Sequence, residues 1–215
     1  AFIEASKYLC KNIRLIGVDG TNDDLKFQAF AAADIFCSLS DNIQETFGIT
    51  PIEAMAAGLP VISTDWDGYK DTVRNGQDGF LIPTLMPQPG HGLDLAARYA
   101  LGIDNYDMYI GNIANFISVD FPALTNAFDQ LINNDQLRID MAKSAIKRVL
   151  CEYDWSKVIM QYQDLWKNLD AIRTNSSSYN YKWSARLDPF FAFESYPTSI
   201  FSNQSEIILV ENSLE

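Results

Sequence analysis

The chain has 215 residues, of which 47% are hydrophobic, and this is enough apolar material for one globular domain with an appendage and too much for a disordered chain. Sixteen Lys and Arg face twenty-eight Asp and Glu, which gives a formal charge of -12. Such a charge repels a nucleic-acid backbone and leaves no basic stripe, so nucleic acid is excluded as a partner. A small anion is not excluded, because backbone amides can hold one locally.

Three cysteines, Cys10, Cys37 and Cys151, are widely spaced and form no C-x-x-C pair. Together with the lack of a signal peptide or a long apolar run, they predict reduced thiols in a cytoplasmic protein. The chain starts with Ala1 inside a predicted helix over residues 2–10. This start predicts a truncated product that lacks upstream segments.

Short β-branched runs alternate with helical patterns in the first part of the chain. Strands are predicted at 13–17, 34–38, 60–64 and 79–82, and helices at 24–33, at 50–57 and around 68–74. Strand, helix and strand in this rhythm predict an α/β fold with a Rossmann-like parallel sheet and crossover helices.

After Pro83 the pattern is helical, with no strand partner predicted. A Pro/Gly loop at 87–92 precedes predicted helices at 93–101, 107–116, 120–132, 135–153 and 156–172. The last of these helices carries apolar residues at helical spacing, which predicts packing against the core. These residues are Val158, Ile159, Tyr162, Leu165, Trp166, Leu169 and Ile172.

An irregular, aromatic-rich tail ends the chain after a polar linker at 174–178. Its aromatic residues are Tyr179, Tyr181, Trp183, Phe190, Phe191, Phe193, Tyr196 and Phe201. Two interpretations stay open. The tail packs back onto the domain, which we favour, or it forms a docking surface for a missing half or a second subunit.

The segment between the predicted strands ending at Ser38 and beginning at Pro60 lies at the carboxyl end of a parallel strand, where ligands bind in such sheets. Thr50 is the expected N-cap of its helix, Glu53 would complete an S/T-x-x-E capping box, and Gly58 suits the helix stop. The free amides of this helix start, with that of Gly48, favour an anion such as a diphosphate. The competing interpretation is that Glu53 only caps the helix and Glu45 is a solvated loop acid.

The run E-T-F-G-I-T-P-I-E-A-M-A-A-G-L-P-V-I-S-T separates Glu45 and Glu53 by seven residues. It resembles the E-x7-E signature of glycosyltransferase family four, the group 1 glycosyltransferases, which are retaining enzymes of the GT-B architecture. The flanking I-R-L-I-G-V-D-G, F-A-A-A-D-I-F-C-S-L-S and D-G-Y-K-D-T-V-R-N-G-Q-D-G-F-L-I-P are similar to the same family. The similarity covers about residues 12–83 and recurs at 153–156.

The resemblance implies that residues 1–173 are a GT-B C-terminal donor-binding domain without its first strands, and that 174–215 are a linker and extension. It implies that Glu45 is catalytic and contacts the hydroxyls of the transferred sugar, and that Glu53 holds the ribose hydroxyls. Backbone amides for sugar and phosphate would come from Phe47, Gly48, Ile49 and Thr50. The nucleobase would lie near Ile16, Gly17 and Asp19.

The family further implies a nucleotide-sugar as co-substrate, no other cofactor and no metal. The acceptor, a glycan or lipid, would be bound by a missing N-terminal domain, and peripheral membrane association of the full enzyme is compatible with such an acceptor. The family's Arg and Lys that stabilise the leaving group would lie upstream of Ala1, so we expect the isolated fragment to be inactive. Polysaccharide biosynthesis is the pathway class that the family suggests.

Other interpretations concern single features. Asp65-Trp66-Asp67 has the D-x-D form that holds a metal in a different glycosyltransferase architecture. His91 is a lone surface histidine or a general base, and Asp71 stands where the family more often has Glu. The alternatives for function are a non-catalytic domain that binds a sugar-nucleotide or a protein, and a sugar-nucleotide epimerase.

Overall fold

A computed structural model describes residues 2–175 and 188–207. By the contacts between its residues, the chain divides into two compact units, Ala1–Asp34 and Ile35–Glu215. Each unit is described by itself below.

The first unit contains two helices, α1 (Phe2–Leu9) and α2 (Asp23–Ala32). The side chain of Asn22 caps α2 by accepting a hydrogen bond of 3.1 Å from the amide of Leu25. The strand predicted at 13–17 is wrong, because these residues are irregular. A strand exists only by hydrogen bonding to a neighbour, and no described segment pairs with this one.

A three-stranded parallel sheet forms the centre of the second unit, in the order β1 (Phe36–Ser38), β2 (Val61–Thr64) and β3 (Gly79–Ile82). Helix α3 (Ile49–Ala56) connects β1 to β2, and the short α4 (Tyr69–Thr72) lies between β2 and β3. All four residues of the central β2 are buried, as expected for a parallel strand covered on both faces. The predicted α/β fold with a parallel sheet is confirmed.

A second small sheet corrects the prediction that the region after Pro83 has no strand partner. Its central strand β4 (Thr84–Met86) pairs antiparallel with β5 (Ser118–Val119) and parallel with β6 (Ser199–Ile200). These strands are too short to show an alternating pattern, and one of them comes from the tail. We call this sheet, with the helices α5 (Leu93–Ala100), α6 (Tyr106–Ala114) and α10 (Pro189–Ala192), the appended module.

The helical region after the module runs through α7 (Phe121–Asn133), α8 (Asp135–Arg148), a π-helical segment (Val149–Tyr153) and α9 (Trp155–Asn175). Asp120 and Asn134 cap α7 and α8 by accepting the amide hydrogens three residues on, at 2.9 and 3.0 Å. One face of α7 packs with Ile62 and Ile82 of the sheet in one core cluster. Its residues there are Leu124, Ala127 and Leu131.

Helix α9 corrects another prediction, because its apolar face does not pack in the core. None of its 21 residues is buried, and only Val158 is half-buried. The residues left exposed include Ile159, Tyr162, Leu165, Trp166, Leu169 and Ile172. Helical spacing reports that one face is apolar, but it does not identify the partner of that face. Among the described residues, no helix is both long and apolar enough to cross a membrane.

The described part of the tail packs back onto the second unit, as the favoured interpretation predicts. Phe190 is 2% exposed and belongs to the main core cluster, and Tyr196 packs edge-to-face on Trp66 with ring centroids 5.5 Å apart. Phe191 and Phe201 are exposed. Tyr179, Tyr181 and Trp183 lie outside the described residues. The domain boundary at 173/174 stays a prediction.

A buried carboxylate joins the start of β3 to helix α8. The Asp78 side chain accepts hydrogen bonds from Arg74 Nε at 2.8 Å, from Arg74 Nη2 at 2.7 Å and from Ser144 Oγ at 2.8 Å. Burial raises the pKa of Asp78, but the hydrogen bonds from Arg74 and Ser144 outweigh it and hold that pKa below its usual value. The ionised form is therefore stabilised by folding.

We predict that Asp78→Asn lowers the free energy of unfolding by about 3 kcal/mol at pH 7, because it leaves Arg74 without its buried partner. Since the folded-state pKa is lowered, this stabilisation is present above the unfolded-state pKa of about 3.9 and is lost as the pH falls through the folded-state value. Urea denaturation at pH 7 and at about pH 3 tests both statements.

The matched control is Asp164→Asn, since the Asp164 side chain is 73% exposed and pairs with Lys167 at the surface. It should change the free energy of unfolding by less than about 0.5 kcal/mol. Equal effects of the two variants at pH 7 would contradict the role given to Asp78.

Candidate active site

The loop that follows β1 is held in place by residues at the end of β2. The Thr64 hydroxyl donates a hydrogen bond to the Ser40 carbonyl, and the Trp66 indole donates one of 3.0 Å to the Asn42 carbonyl. The Asn42 side chain in turn accepts the amide of Glu45 at 3.2 Å. This loop is therefore fixed at the carboxyl ends of two parallel strands, where ligands bind in open α/β sheets.

Helix α3 begins one residue earlier than predicted, so the prediction that Thr50 is its N-cap is wrong. Gly48 is the N-cap, with a left-handed φ of 70°, and Ile49 is the first helical residue. An ideal Cβ on Gly48 would lie 2.0 Å from Cε1 of Tyr69, so the close approach of this ring sets the turn. Glu53 is then the fifth helical residue, beyond the third position that a capping box requires.

The predicted helix stop at Gly58 is confirmed. This residue has a φ of 81°, its amide donates to the carbonyl of Met55 at 3.0 Å, and the amide of Leu59 donates to the carbonyl of Ala54 at 3.0 Å. These two bonds are those of a Schellman motif, which ends the helix.

The start of α3 leaves a group of backbone amides without internal partners. Within the described part of the chain, no hydrogen bond is made by the amides of Phe47, Gly48, Ile49 and Thr50. The N-terminal amides of a helix carry a partial positive charge and favour an anion. These amides can therefore donate hydrogen bonds to a phosphate oxygen without help from a cation.

Tyr69 links this segment to Glu45 and was not identified from the sequence. Its side chain is 1% exposed. Burial raises the pKa of Tyr69, the Glu45 carboxylate adds to this increase as an acceptor of its hydroxyl, and Ser40 and Ser38 act in the opposite direction. The half-buried Glu45 carboxylate therefore lies near the Tyr69 hydroxyl. The only sequence signal for Tyr69 was its place in the segment D-G-Y-K-D-T-V-R.

Glu53 is half-buried and lies four residues after Ile49, so it is on the same side of α3 as the first turn. The structure thus places Glu45, Glu53 and the four amide-bearing residues on one continuous segment after β1. Their individual roles toward a ligand stay predictions.

Ile16, Gly17 and Asp19 lie in the first unit, in an irregular and exposed segment. The Asp19 carboxylate accepts hydrogen bonds from the hydroxyl of Thr21 at 2.7 Å and from its amide at 3.0 Å, and these bonds lower the pKa of Asp19. These bonds form a local turn, so Asp19 has a structural role there. The role of the three residues toward a nucleobase stays a prediction.

The two acids of the D-x-D sequence contact the tail. The Asp65 carboxylate accepts a hydrogen bond of 2.5 Å from the Thr198 hydroxyl. Burial, aided by a hydrogen bond to Asp67, raises the pKa of Tyr196 to about 12. These contacts account for both acids without a ligand. In the described ranges, no three His, Cys, Asp or Glu side chains are grouped so that they could hold a metal ion.

The other single candidates lie apart from this segment. His91 is exposed in the loop before α5. Asp71 is exposed too, and its backbone carbonyl accepts hydrogen bonds from Arg148 and from the Tyr153 hydroxyl. None of the hydrogen bonds named here involves Glu45.

Comparison with known proteins agrees with the resemblance noted from the sequence. Residues 4–88 match the family model of "Glycosyl transferases group 1". This segment is therefore similar to the group 1 glycosyltransferases. Strands β5 and β6 of the small sheet and the helices from α5 onward lie outside the matched segment, whereas β4 lies within it.

Particular relatives support the same family. The phosphatidyl-myo-inositol mannosyltransferase of Mycobacterium leprae (strain TN) is 29% identical over 165 residues, which are 75% of this chain and 33% of that protein. The D-inositol 3-phosphate glycosyltransferase of Corynebacterium urealyticum is 26% identical over 143 residues, or 66% of this chain and 25% of that protein. The chain thus spans about a third of the length of the mannosyltransferase.

A solved structure that resembles the chain is the sucrose-phosphate synthase of Thermosynechococcus elongatus. It is 22% identical, with a TM-score of 0.49, and the match covers 80% of this chain and 33% of that one.

We predict that Gly48→Ala lowers the free energy of unfolding by about 3 kcal/mol. The left-handed φ contributes about 1 to 2 kcal/mol and the overlap with Tyr69 the rest. Gly76→Ala is the matched control, since Gly76 has a φ of 74° and nothing within 4 Å of an added Cβ. It should lose only about 1 kcal/mol. Urea denaturation of both variants measures the difference, and equal losses would refute the packing of Tyr69 on Gly48.

Proposed function

We propose that this chain is the donor-binding part of a retaining glycosyltransferase, which transfers a sugar from a nucleotide-diphosphate sugar to a glycan or lipid acceptor. The observation that carries the proposal is the segment after β1. In it, backbone amides without internal partners and the half-buried Glu45 lie together at the carboxyl end of a parallel sheet. The group 1 family match over residues 4–88 includes this segment.

The chemistry required of such a site fits these groups. Departure of a nucleoside diphosphate develops negative charge on a phosphate oxygen, and preorganised amides stabilise such charge without reorganisation. Phe47 to Thr50 supply these amides at the start of α3. Because this stabilisation comes from the backbone, we propose that the transfer needs no metal.

Each carboxylate has a separate role in the proposal. Glu45 accepts hydrogen bonds from hydroxyls of the transferred sugar, and Glu53 accepts them from the ribose. A carboxylate suits both roles because its two oxygens accept several hydrogen bonds at once. Ile16, Gly17 and Asp19 are proposed to contact the nucleobase.

We propose that the reacting hydroxyl of the acceptor and the leaving-group cations are held by the rest of the protein, since the chain spans about a third of the length of the mannosyltransferase relative. The names of the relatives include inositol-containing acceptors, one of them a phospholipid. This favours an acceptor with hydroxyl groups, and a lipid one would bring the whole protein to a membrane surface. Cytoplasmic localisation remains part of the proposal.

A second candidate is a domain that binds a sugar-nucleotide or a protein partner without catalysis. The exposed apolar face of α9 favours a protein contact. An epimerase of the same architecture is a further alternative, but it does not require this pair of acids. Binding measurements on Glu45 and Glu53 separate the donor site from the protein-contact and epimerase alternatives, whereas a non-catalytic sugar-nucleotide domain is separated by an assay of sugar transfer by the whole protein.

We predict that the chain binds a nucleotide-sugar saturably in calorimetry against UDP-, GDP- and ADP-linked glucose and mannose. Glu53→Gln should weaken both the nucleotide-sugar and the matching nucleoside diphosphate by about tenfold, since each carries the ribose. Glu45→Gln should weaken only the nucleotide-sugar, by a similar factor. A lost charge-assisted hydrogen bond of about 1.5 kcal/mol corresponds to this tenfold change.

The matched control is Glu194→Gln, because Glu194 is exposed in the tail and makes no contact with the segment after β1. It should leave both affinities unchanged. Binding that is insensitive to Glu45 and Glu53, or no binding by any of the six donors, would refute the proposed site.

We further predict that the chain alone does not transfer sugar, even where it binds the donor. The diphosphate would leave without the Arg and Lys that the family provides, and no acceptor site would be complete. Incubation with the bound donor and a mixture of glycan and phosphoinositide acceptors, followed by mass spectrometry, checks this. Any glycosylated product above the level of a Glu45→Gln control would contradict it.

A further inference from the structure

A cavity of about 400 Å³ lies in the appended module, apart from the segment after β1. Its size falls within the range of about 300–1,000 Å³ that is usual for small-molecule pockets. It is lined by residues of the loop after β4, by Phe116 and by residues of the described tail. Of these segments, only Pro87 and Gln88 fall within the family-matched residues 4–88. Most of the cavity lining therefore lies outside the family-matched segment.

Three phenylalanine rings form the apolar part of the cavity. Phe190 is 2% exposed and forms its floor, while Phe116 and Phe201 are 57% and 37% exposed and flank it. The rings of Phe116 and Phe190 meet edge-to-face at 6.2 Å, and the amide of Phe201 donates to the carbonyl of Met86 at 2.8 Å. The flanking rings are therefore fixed in place with apolar surface open to solvent, and covering that surface is favourable.

Neutral polar side chains form the rest of the lining. Gln88, His91 and Asn203 contribute, and none of their side chains hydrogen-bonds to another residue in the part of the chain that the structure describes. The lining residues include no Asp, Glu, Lys or Arg among those described. Two carboxamides and an imidazole both donate and accept hydrogen bonds, and they carry no fixed charge to select an ion.

A pyranose ring matches both parts of this lining. Its axial C–H groups form an apolar face that covers an aromatic ring, and its equatorial hydroxyls donate and accept hydrogen bonds at the rim. A nucleotide or phospholipid headgroup would bring a negative charge that nothing in the lining compensates. A purely apolar ligand would leave Gln88 and Asn203 buried without partners, which is unfavourable.

We propose that this cavity binds a neutral pyranose unit of a glycan. Its role as a subsite for the acceptor glycan rests on the proposed function. One core cluster links the two sites, because it contains Ile43, Trp66 and Tyr69 beside the Glu45 loop as well as Met86 and Phe190 of the module. A glycan held in the cavity is therefore held at a fixed distance from the donor segment, as chain-length selection by an acceptor subsite requires.

The test is a saturation-transfer NMR titration of the 215-residue chain with maltotriose, cellotriose and α-linked mannotriose, and with trigalacturonic acid as the charged comparison. At least one neutral trisaccharide should bind saturably. Phe116→Ala and Phe201→Ala should each weaken it about tenfold, by removing a stacking ring. Phe191→Ala is the matched control, since Phe191 is an exposed ring of the same tail that does not line the cavity, and it should have no effect.

Asn203→Ala, at an exposed position, is a second variant that keeps the rings and should weaken binding severalfold. Urea denaturation of each variant shows that its fold is retained. The proposal is overturned if no neutral trisaccharide binds up to about 10 mM, or if the ring variants bind as the parent does. It is also overturned if trigalacturonic acid binds as well as the neutral sugars.

The outcome is independent of the donor site. Trisaccharide binding that persists in Glu53→Gln, with no nucleotide-sugar binding by the parent, would refute the proposed function and leave the glycan cavity in place. Nucleotide-sugar binding that is unchanged by Phe116→Ala, with no trisaccharide binding, would refute the glycan cavity and leave the proposed function in place.

Discussion

The contact between the Tyr69 ring and Gly48 decides the geometry of the candidate site. The ring occupies the space of any side chain at position 48, so the chain there takes a left-handed turn and α3 begins at Ile49. The charge of Glu45 also acts on the hydroxyl of this ring and helps to raise its pKa. One buried side chain therefore sets the direction of the helix amides and lies near the acid. Because Tyr69 is nearly inaccessible, this arrangement exists before any ligand binds, which lowers the reorganisation that binding requires.

The end of β2 extends this constraint to the appended module. Trp66 donates to the loop at Asn42 and is packed on its other side by Tyr196, so it lies between the candidate site and the tail. Asp65 binds the Thr198 hydroxyl beside it. The tail is thus a structural part of the second unit and not a loose appendage. Loss of its packing would leave Trp66 exposed and remove a support of the loop that carries Glu45.

The sequence was informative where local signals and tertiary packing agree. The strands at Val61–Thr64 and Gly79–Ile82 are short, apolar runs next to strong turn formers, and their positions were predicted closely. The Gly58 stop was predictable because glycine at that position has a direct conformational meaning. Six of the nine residues predicted to bind the donor lie on one segment, since a loop and the helix after it are contiguous in sequence, and their roles stay predictions.

The errors arise where a distant residue decides the structure. Thr50 has the better intrinsic capping preference, but the Tyr69 ring moves the helix start to the residue after Gly48. The two-residue strands β5 and β6 exist only because β4 lies between them, and the tail supplies one of them. The apolar spacing of α9 was read correctly as amphipathic, yet no described element covers that face. Such features depend on pairings that a single-sequence pattern does not contain.

The charged residues near the candidate site show which groups are available to bind a diphosphate. The basic residues on and near α4 have structural partners: Lys70 donates to the carbonyls of Ser195 and Pro197, Arg74 pairs with Asp78, and Arg148 donates to the carbonyl of Thr72. Arg148 also lines a cavity with Phe47 of the segment after β1, while the chain as a whole carries a charge of -12. In the proposal, backbone dipoles at the start of α3 attract the diphosphate at short range, where the net charge is screened. Dipoles can hold a resting diphosphate, but the full charge of a departing one calls for a cation. For this reason the proposed activity also calls for the Arg and Lys that the family provides.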